Sequence, residues 1–382
     1  MSSLEHITLY LFLFIVFYVF SKNSKTHIKT FHFIISCIIP ILTFVLIEGS
    51  RYGRGNDYLS YKYRYEHLNF LEEPQILFYS LMKFLHELNF TYVGAFRTYA
   101  LIFIIGVIFF IRKSFNNKEA QWMYLFAIFA LLLKMEFMIR QYIAMPFIFC
   151  LIYFIFEKKW LQAFVCVIIA NGIHSGTLFG IPCIIISYFF IKRTIHFKYS
   201  VFILFFTYYI IPNGIFTNLA TQTLEALHLN TILATDQFAH YVEESDRWLG
   251  EGSYLEASQQ SIVTKTLQFL FESSIIIIGY YALKSRPNQR ILCLYNLAIL
   301  GFVLCRLFHG FEIFNRMFDQ LDIYWFVPTG YAFSLYFKQI RRKNYTYSIC
   351  TIILILYLIM YWGRYIFLQP DAIFYWNHNT QL

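Results

Sequence analysis

Charge is scarce in this chain. Of 382 residues, 14% are Asp, Glu, Lys or Arg, where a soluble domain carries about a quarter. Metal-type cysteine spacing is also missing. The seven cysteines (37, 150, 166, 183, 293, 305 and 350) all fall inside apolar runs and none forms a C-x-x-C pair, which argues against a zinc site or a disulfide framework. No P-loop and no G-x-G-x-x-G opening a βαβ unit is present, nor a clear internal repeat, so ATP-driven chemistry within the chain is not expected. The N-terminal stretch MSSLEHITLYLFLFIVFYVF lacks a basic n-region and an A-x-A site; it reads as a retained first span rather than a cleaved signal.

What is present is apolar and aromatic. Hydrophobic residues make up 58%, with 45 Phe and 31 Tyr. Runs near the ~20 residues needed to cross a bilayer recur along the whole chain. They predict spans at 4–21, 31–48, 93–112, 120–139, 142–156, 160–173, 177–191, 199–216, 263–283, 291–309, 320–337 and 345–364. The fold class expected is therefore all-α: a polytopic integral membrane protein with about twelve transmembrane helices, forming a single domain over 1–382. QILFYSLMKFLHEL at 75–88 is amphipathic and predicts an interfacial or re-entrant helix rather than a span.

The net charge of +9 has a membrane explanation that does not involve nucleic acid. Six alternate connections, 22–30, 112–119, 157–159, 192–198, 284–290 and 338–343, hold 18 of the 31 basic residues and only two acidic ones, Glu119 and Glu157. The positive-inside rule places these in the cytoplasm. The first outer loop (49–92), the long loop 217–262 and the tail then face the periplasm, and the expected location is a bacterial inner membrane. Basic residues that break the rule gather on that outer side: Arg51, Arg54, Lys62, Arg64, Arg97, Lys134, Arg140, Arg247, Lys265, Arg306 and Arg316. Cations at this depth call for a counter-charge or an anionic ligand. Arg54, Lys62, Arg64 and Arg364 are expected to be solvated. Arg140, at a tight junction between two apolar runs, is expected to point into a polar cavity, where a guanidinium suits phosphate oxygens. His174 sits at an outer turn in ANGIHSGTLFG, as a structural hydrogen-bonding group or a substrate contact. His309, Glu312, Asn315, Arg316 and Asp319 precede the span 320–337. The abundant Tyr and Trp serve equally as interfacial belts or as sugar-stacking faces.

RYGRGNDYLSYKYRYE, followed by EEPQILFYSLMKFL, resembles the first outer loop of the EpsG/Wzy-type polysaccharide (O-antigen) polymerases. The matching residues are Arg51, Gly55, Asp57, Tyr58, Tyr61, Glu73 and Pro74. RQYIAMPF and NGIHSGT resemble the family's later motifs through Arg140, Gln141, Ala144, His174 and Ser175, and NRMFDQLD adds Arg316. The resemblance spans roughly 45–340. Gln75 departs from it, standing where the family often has glycine.

The resemblance implies a glycosyltransferase that moves a growing glycan from undecaprenyl diphosphate onto the nonreducing end of a lipid-linked repeat unit. It implies a periplasm-facing site, a GT-C-like architecture, and partners limited to that oligosaccharide lipid, the bilayer and a chain-length regulator. No cofactor and no metal is expected, since arginines can stabilise the leaving diphosphate. The catalytic candidates are Asp57, Arg140, His174 and Arg316, with Asp57 first as base or as a partner orienting Arg51, and Glu73 also considered as base. The substrate-binding candidates are Arg51, Tyr58, Tyr61, Glu73, Gln141, Arg247 and Arg306. The main alternative is a flippase or transporter of the same lipid-linked oligosaccharide, which would carry its charges along a central path rather than at one face.

Overall fold

Backbone N–H and C=O groups find no water in hydrocarbon, so apolar runs satisfy them internally by forming helices. The computed structural model describes residues 2–24, 30–55, 57–68, 75–211, 261–308, 312–336, 345–368 and 373–374. α1 (Ser2–Ser24) and α2 (Thr30–Glu48) lead into a two-residue strand, β1 (Arg51–Tyr52), and two shorter helices, α3 (Tyr58–His67) and α4 (Ile76–Glu87). Next come α5 (Tyr92–Ser114), the single turn α6 (Asn117–Ala120), α7 (Met123–Phe137), α8 (Ile139–Phe156) and α9 (Trp160–Ile173). A 3₁₀ turn over Ser175–Phe179 precedes α10 (Gly180–Phe189) and α11 (Phe197–Tyr209). The C-terminal part holds α12 (Ile262–Ser285), α13 (Gln289–Leu307), α14 (Glu312–Asp322), α15 (Phe326–Tyr336) and α16 (Tyr345–Leu368).

The molecule is an all-α polytopic membrane protein. Among the described residues seven helices are long and apolar enough to cross a bilayer: α1, α2, α5, α8, α12, α13 and α16. The other five expected spans are shorter: α7, α9, α10, α11 and α15 run 10–15 residues. At 1.5 Å per residue such helices reach about 15–23 Å of a ~30 Å hydrocarbon core. Polar residues cut several of them: Arg140 and Gln141 follow α7, and His174 caps α9.

Caps and close packing fix the framework. Thr91 accepts the Gly94 amide at the start of α5, and Ser261 the Thr264 amide at the start of α12, each satisfying a donor with no intrahelical partner. α5 and α8 pack closely because Gly106 faces Pro146. A Cβ at Gly106 would lie 2.4 Å from the Pro146 Cβ. The amphipathic stretch 75–88 is helical as α4, burying Phe78, Tyr79, Met82 and Leu85 and exposing Ile76 and Phe84.

The two ends of the bundle differ. At one end, three of the basic connections meet. Arg290 reaches Glu157 (2.7 Å) and the Ser114 carbonyl (3.0 Å), while the Asn288 amide donates to Glu119 (3.2 Å). At the other end, β1 pairs antiparallel with β2 (Ile373–Phe374), Arg51 opposite Phe374. This small strand pair was not foreseen in the sequence. It clips the segment after α2 to the segment after α16.

Candidate functional site

Arg140 stands two residues into α8, just past Met138, the single non-helical residue that separates α8 from α7. Its Nη1 donates to Gln75 Oε1 (2.5 Å) and to the Tyr79 hydroxyl (3.2 Å), and its guanidinium lies 5.5 Å over the Tyr61 ring. Arg64 donates to the same Tyr79 hydroxyl (2.7 Å). Gln141, the next residue, donates to the Arg316 carbonyl (2.8 Å), tying α8 to α14. Gln320 on α14 donates to the Gly176 carbonyl (2.9 Å), tying α14 to the turn that carries His174.

Arg140, Gln141, His174 and Arg316 are thus drawn to one place from three separate parts of the sequence. The His174 ring is half-buried and its Nδ1 is shut off from water without a hydrogen-bond partner. Burial, and then the positive fields of Arg140 and Arg316, hold its pKa down at about 3, so the imidazole is neutral at physiological pH. Asp57, the residue capping α3, is close enough to Tyr61 to oppose ionisation of its phenol. Burial is the main reason that phenol stays above its usual range.

The remaining candidates lie elsewhere. Arg51 is buried and paired with Glu48 (3.2 Å). Tyr58 packs against Phe96 (ring centroids 4.8 Å) and Tyr52 (5.7 Å). Arg306 is buried with its guanidinium 4.3 Å over the Tyr208 ring. Glu73, Arg247 and His309 lie outside the described residues, as does most of the loop 217–262. Two of the arginines expected in solvent are not there. Arg54 is 0% exposed: it donates to His6 Nε2 (2.6 Å) and to the Tyr10 hydroxyl, and lies 3.6 Å from Glu136. Arg64 is half-buried against Tyr79. Arg54 is drawn inward because Glu136 and Glu48, carboxylates buried on other helices, need a counter-charge. The Tyr10 hydroxyl lies within hydrogen-bond reach of both carboxylates, with one proton to donate, and Tyr365 donates to Glu136.

Gln75 and Tyr79 had not been recognised as site residues. The available signal was their position at the start of an amphipathic helix directly after Glu-Pro. The departure at Gln75 therefore has a specific consequence: an amide that a glycine lacks holds Arg140.

Two cavities lie between the described helices. The first, about 580 Å³, is bordered by α7, α12, α13, α14 and α16 and carries Lys134, Glu272, Arg306, Asp319 and Asp322. Lys134 Nζ bridges Asp319 (3.0 Å) and Asp322 (2.5 Å). Cys305, Asp319 and Asp322 place ligand-type atoms within 4.8 Å of one another, with the Lys134 ammonium held between the two carboxylates. The second cavity, about 830 Å³, is apolar and lies between α1, α7, α15 and α16; Phe129 and Leu358 border both cavities.

The fold and the site together define a polytopic helical membrane protein with a cluster of buried and half-buried arginines at one end. The chain belongs to the EpsG family, whose model matches residues 34–379. Comparison with curated proteins and with solved structures gives no match.

Proposed function

We propose that this protein is a polymerase of surface polysaccharide, most consistent with O-antigen, working at the periplasmic face of the inner membrane. In this reading the growing glycan passes from undecaprenyl diphosphate to the nonreducing end of a lipid-linked repeat unit. The observation that carries it is the convergence of Arg140, Gln141, His174 and Arg316 in an EpsG-family chain.

Breaking a sugar–diphosphate bond concentrates negative charge on the departing oxygens. Guanidinium groups held in place beforehand stabilise that charge without reorganising as it forms. Arg140 meets this requirement, since Gln75 and Tyr79 fix its orientation. Arg316, anchored through its carbonyl by Gln141, is its partner. Neutral His174 is suited to a hydrogen bond with a sugar hydroxyl rather than to charge pairing. Asp57 accepts the proton of the acceptor hydroxyl in this scheme, and the apolar cavity beside Phe129 and Leu358 suits an isoprenoid tail. The gathering of basic connections at the opposite end supports the orientation.

The test is a gel of surface polysaccharide from a strain lacking the gene, complemented with wild type or Arg140→Ala. The expected result is a core carrying a single repeat unit in the deletion strain, with the ladder restored by wild type alone. Complete absence of any repeat unit would instead mean a block before polymerisation and favour the flippase. Full chain lengths with Arg140→Ala would remove Arg140 from the mechanism.

A further inference from the structure

We propose that the 580 Å³ cavity is a glycan subsite in which Glu272 receives a hydroxyl of an uncharged sugar residue. The proposal rests on the polymerase reading and adds the place where sugar, as distinct from diphosphate, is held.

Three observations lead there. The first is charge. Among the described residues the cavity wall carries three basic side chains, Lys134, Arg306 and Arg364, and three carboxyl side chains, Glu272, Asp319 and Asp322. Lys134 is already matched to Asp319 and Asp322. Such a balanced wall offers little net attraction to a diphosphate, whereas a neutral polyol loses nothing by entering it.

The second is shape and surface. The volume falls within the range of small-molecule sites. Aromatic side chains, among them the mutually packed Phe271, Trp325 and Tyr357, share the lining with polar groups. Sugars present both apolar C–H faces and hydroxyl edges, and this wall can meet both.

The third is Glu272 itself. It is 5% exposed, and its Oε1 accepts from the Tyr208 hydroxyl (2.9 Å) and the Gln268 amide (3.1 Å). Its Oε2 has no hydrogen-bond partner and no contact with water. A buried carboxylate oxygen left without a donor is costly, and such groups in folded proteins call for a specific reason. The terminal torsion of a glutamate is soft, so the carboxylate turns readily toward a donor in the cavity whose wall it forms. A sugar hydroxyl is such a donor. Tyr208 also lies beneath the Arg306 guanidinium, so one side chain positions both the carboxylate and the cation of this wall.

The experiment uses the full-length protein in nanodiscs. The probe is repeat-unit oligosaccharide obtained by partial acid hydrolysis of the strain's own surface polysaccharide, labelled with tritium at its reducing end. Wild type is expected to retain the probe, and a large excess of inorganic diphosphate is expected to leave retention unchanged. Glu272→Gln is expected to weaken binding about 10- to 100-fold, the loss of one hydrogen bond to a charged group. Tyr208→Phe keeps the ring beneath Arg306 and is expected to give a smaller loss of about 3- to 10-fold. Arg140→Ala is expected to bind the free oligosaccharide as wild type does while failing to restore the ladder. The proposal is overturned if wild type retains no probe, if both Glu272→Gln and Tyr208→Phe bind unchanged, or if inorganic diphosphate displaces the probe. If Glu272→Gln does not accumulate as folded protein, Tyr208→Phe and the diphosphate competition decide. None of these outcomes alters the ladder result, so the two readings fail separately.

Discussion

The buried pair Arg54–Glu136 allows a sharp test of how the segment after α2 is held. Arg54 and Glu136 are both fully buried, 3.6 Å apart, and join the segment following β1 to the end of α7. Replacing Arg54 with Met keeps much of the side-chain volume but removes the guanidinium that lies over the Phe374 and Tyr10 rings and leaves the Glu136 charge without its cation. Removing one partner of a buried ion pair costs about 3–5 kcal/mol, roughly a 100- to 3,000-fold loss in the folded-to-unfolded ratio. In Arg54→Met/Glu136→Gln the stranded charge is gone; the amide oxygen accepts from one of Tyr10 and Tyr365, and the amide N–H donates to the hydroxyl oxygen of the other. The double variant is therefore expected to recover about 2–3 kcal/mol of the single variant's loss. Unfolding by SDS in mixed micelles, followed by circular dichroism, measures all four corners of the cycle. A single variant as stable as wild type, or a double variant no better than the single, would refute the argument that Glu136 is what draws Arg54 inside.

Other expectations can be checked alongside. Gly55 has φ +89° and a Cβ there would lie 2.0 Å from the Glu136 carbonyl oxygen. Gly55→Ala should destabilise the fold by about 2 kcal/mol or more, read as a lower melting temperature in detergent. Gln75→Ala frees Arg140 from its shortest hydrogen bond, and chain elongation by the reconstituted protein should slow about 10-fold while the melting temperature changes little. His174 titrates near 3 in the folded protein against 6.5 in the unfolded chain. Between these values only the unfolded chain takes up the proton, so stability should fall as pH drops from 6.5 toward 3. His174→Gln should flatten that slope in melting curves recorded from pH 7 to pH 4.

The sequence was most informative where a signal is local. Hydropathy located the helices, and the amphipathic pattern after Pro74 located α4. Arg140, Gln141 and His174 stand at helix ends, where polarity interrupts apolar runs, and Arg316 lies within α14; the structure brings these four near one another. Partners distant in sequence were not legible. Glu136 is met by Arg54 and by Tyr365, which is 229 residues away, and Lys134 by Asp319 and Asp322, 185 and 188 residues on. Nothing in the spacing of those residues encodes the pairing; helix packing alone brings them together. For the same reason Arg54 looked like a loop arginine. Its neighbours in sequence are polar, while its neighbours in space are two aromatic rings and a carboxylate. Where each helix breaks was not legible either, because hydropathy counts apolar residues and does not see the break at Met138 or at His174.

One short stretch carries more than its length suggests. Between Lys134 and Gln141 the chain leaves α7, passes Met138 and enters α8. In those eight positions it supplies one cation of the 580 Å³ cavity, one carboxylate of the buried Arg54 network, the principal guanidinium of the candidate active site and the amide that anchors α14. These parts share one backbone elbow, two on each helix that meets there. A tilt of α8 against α7 would shift Arg140 and Gln141 relative to Lys134 and Glu136 in a single movement. The elbow thus sets, within one stretch of backbone, the spacing between the cavity wall and the arginine cluster.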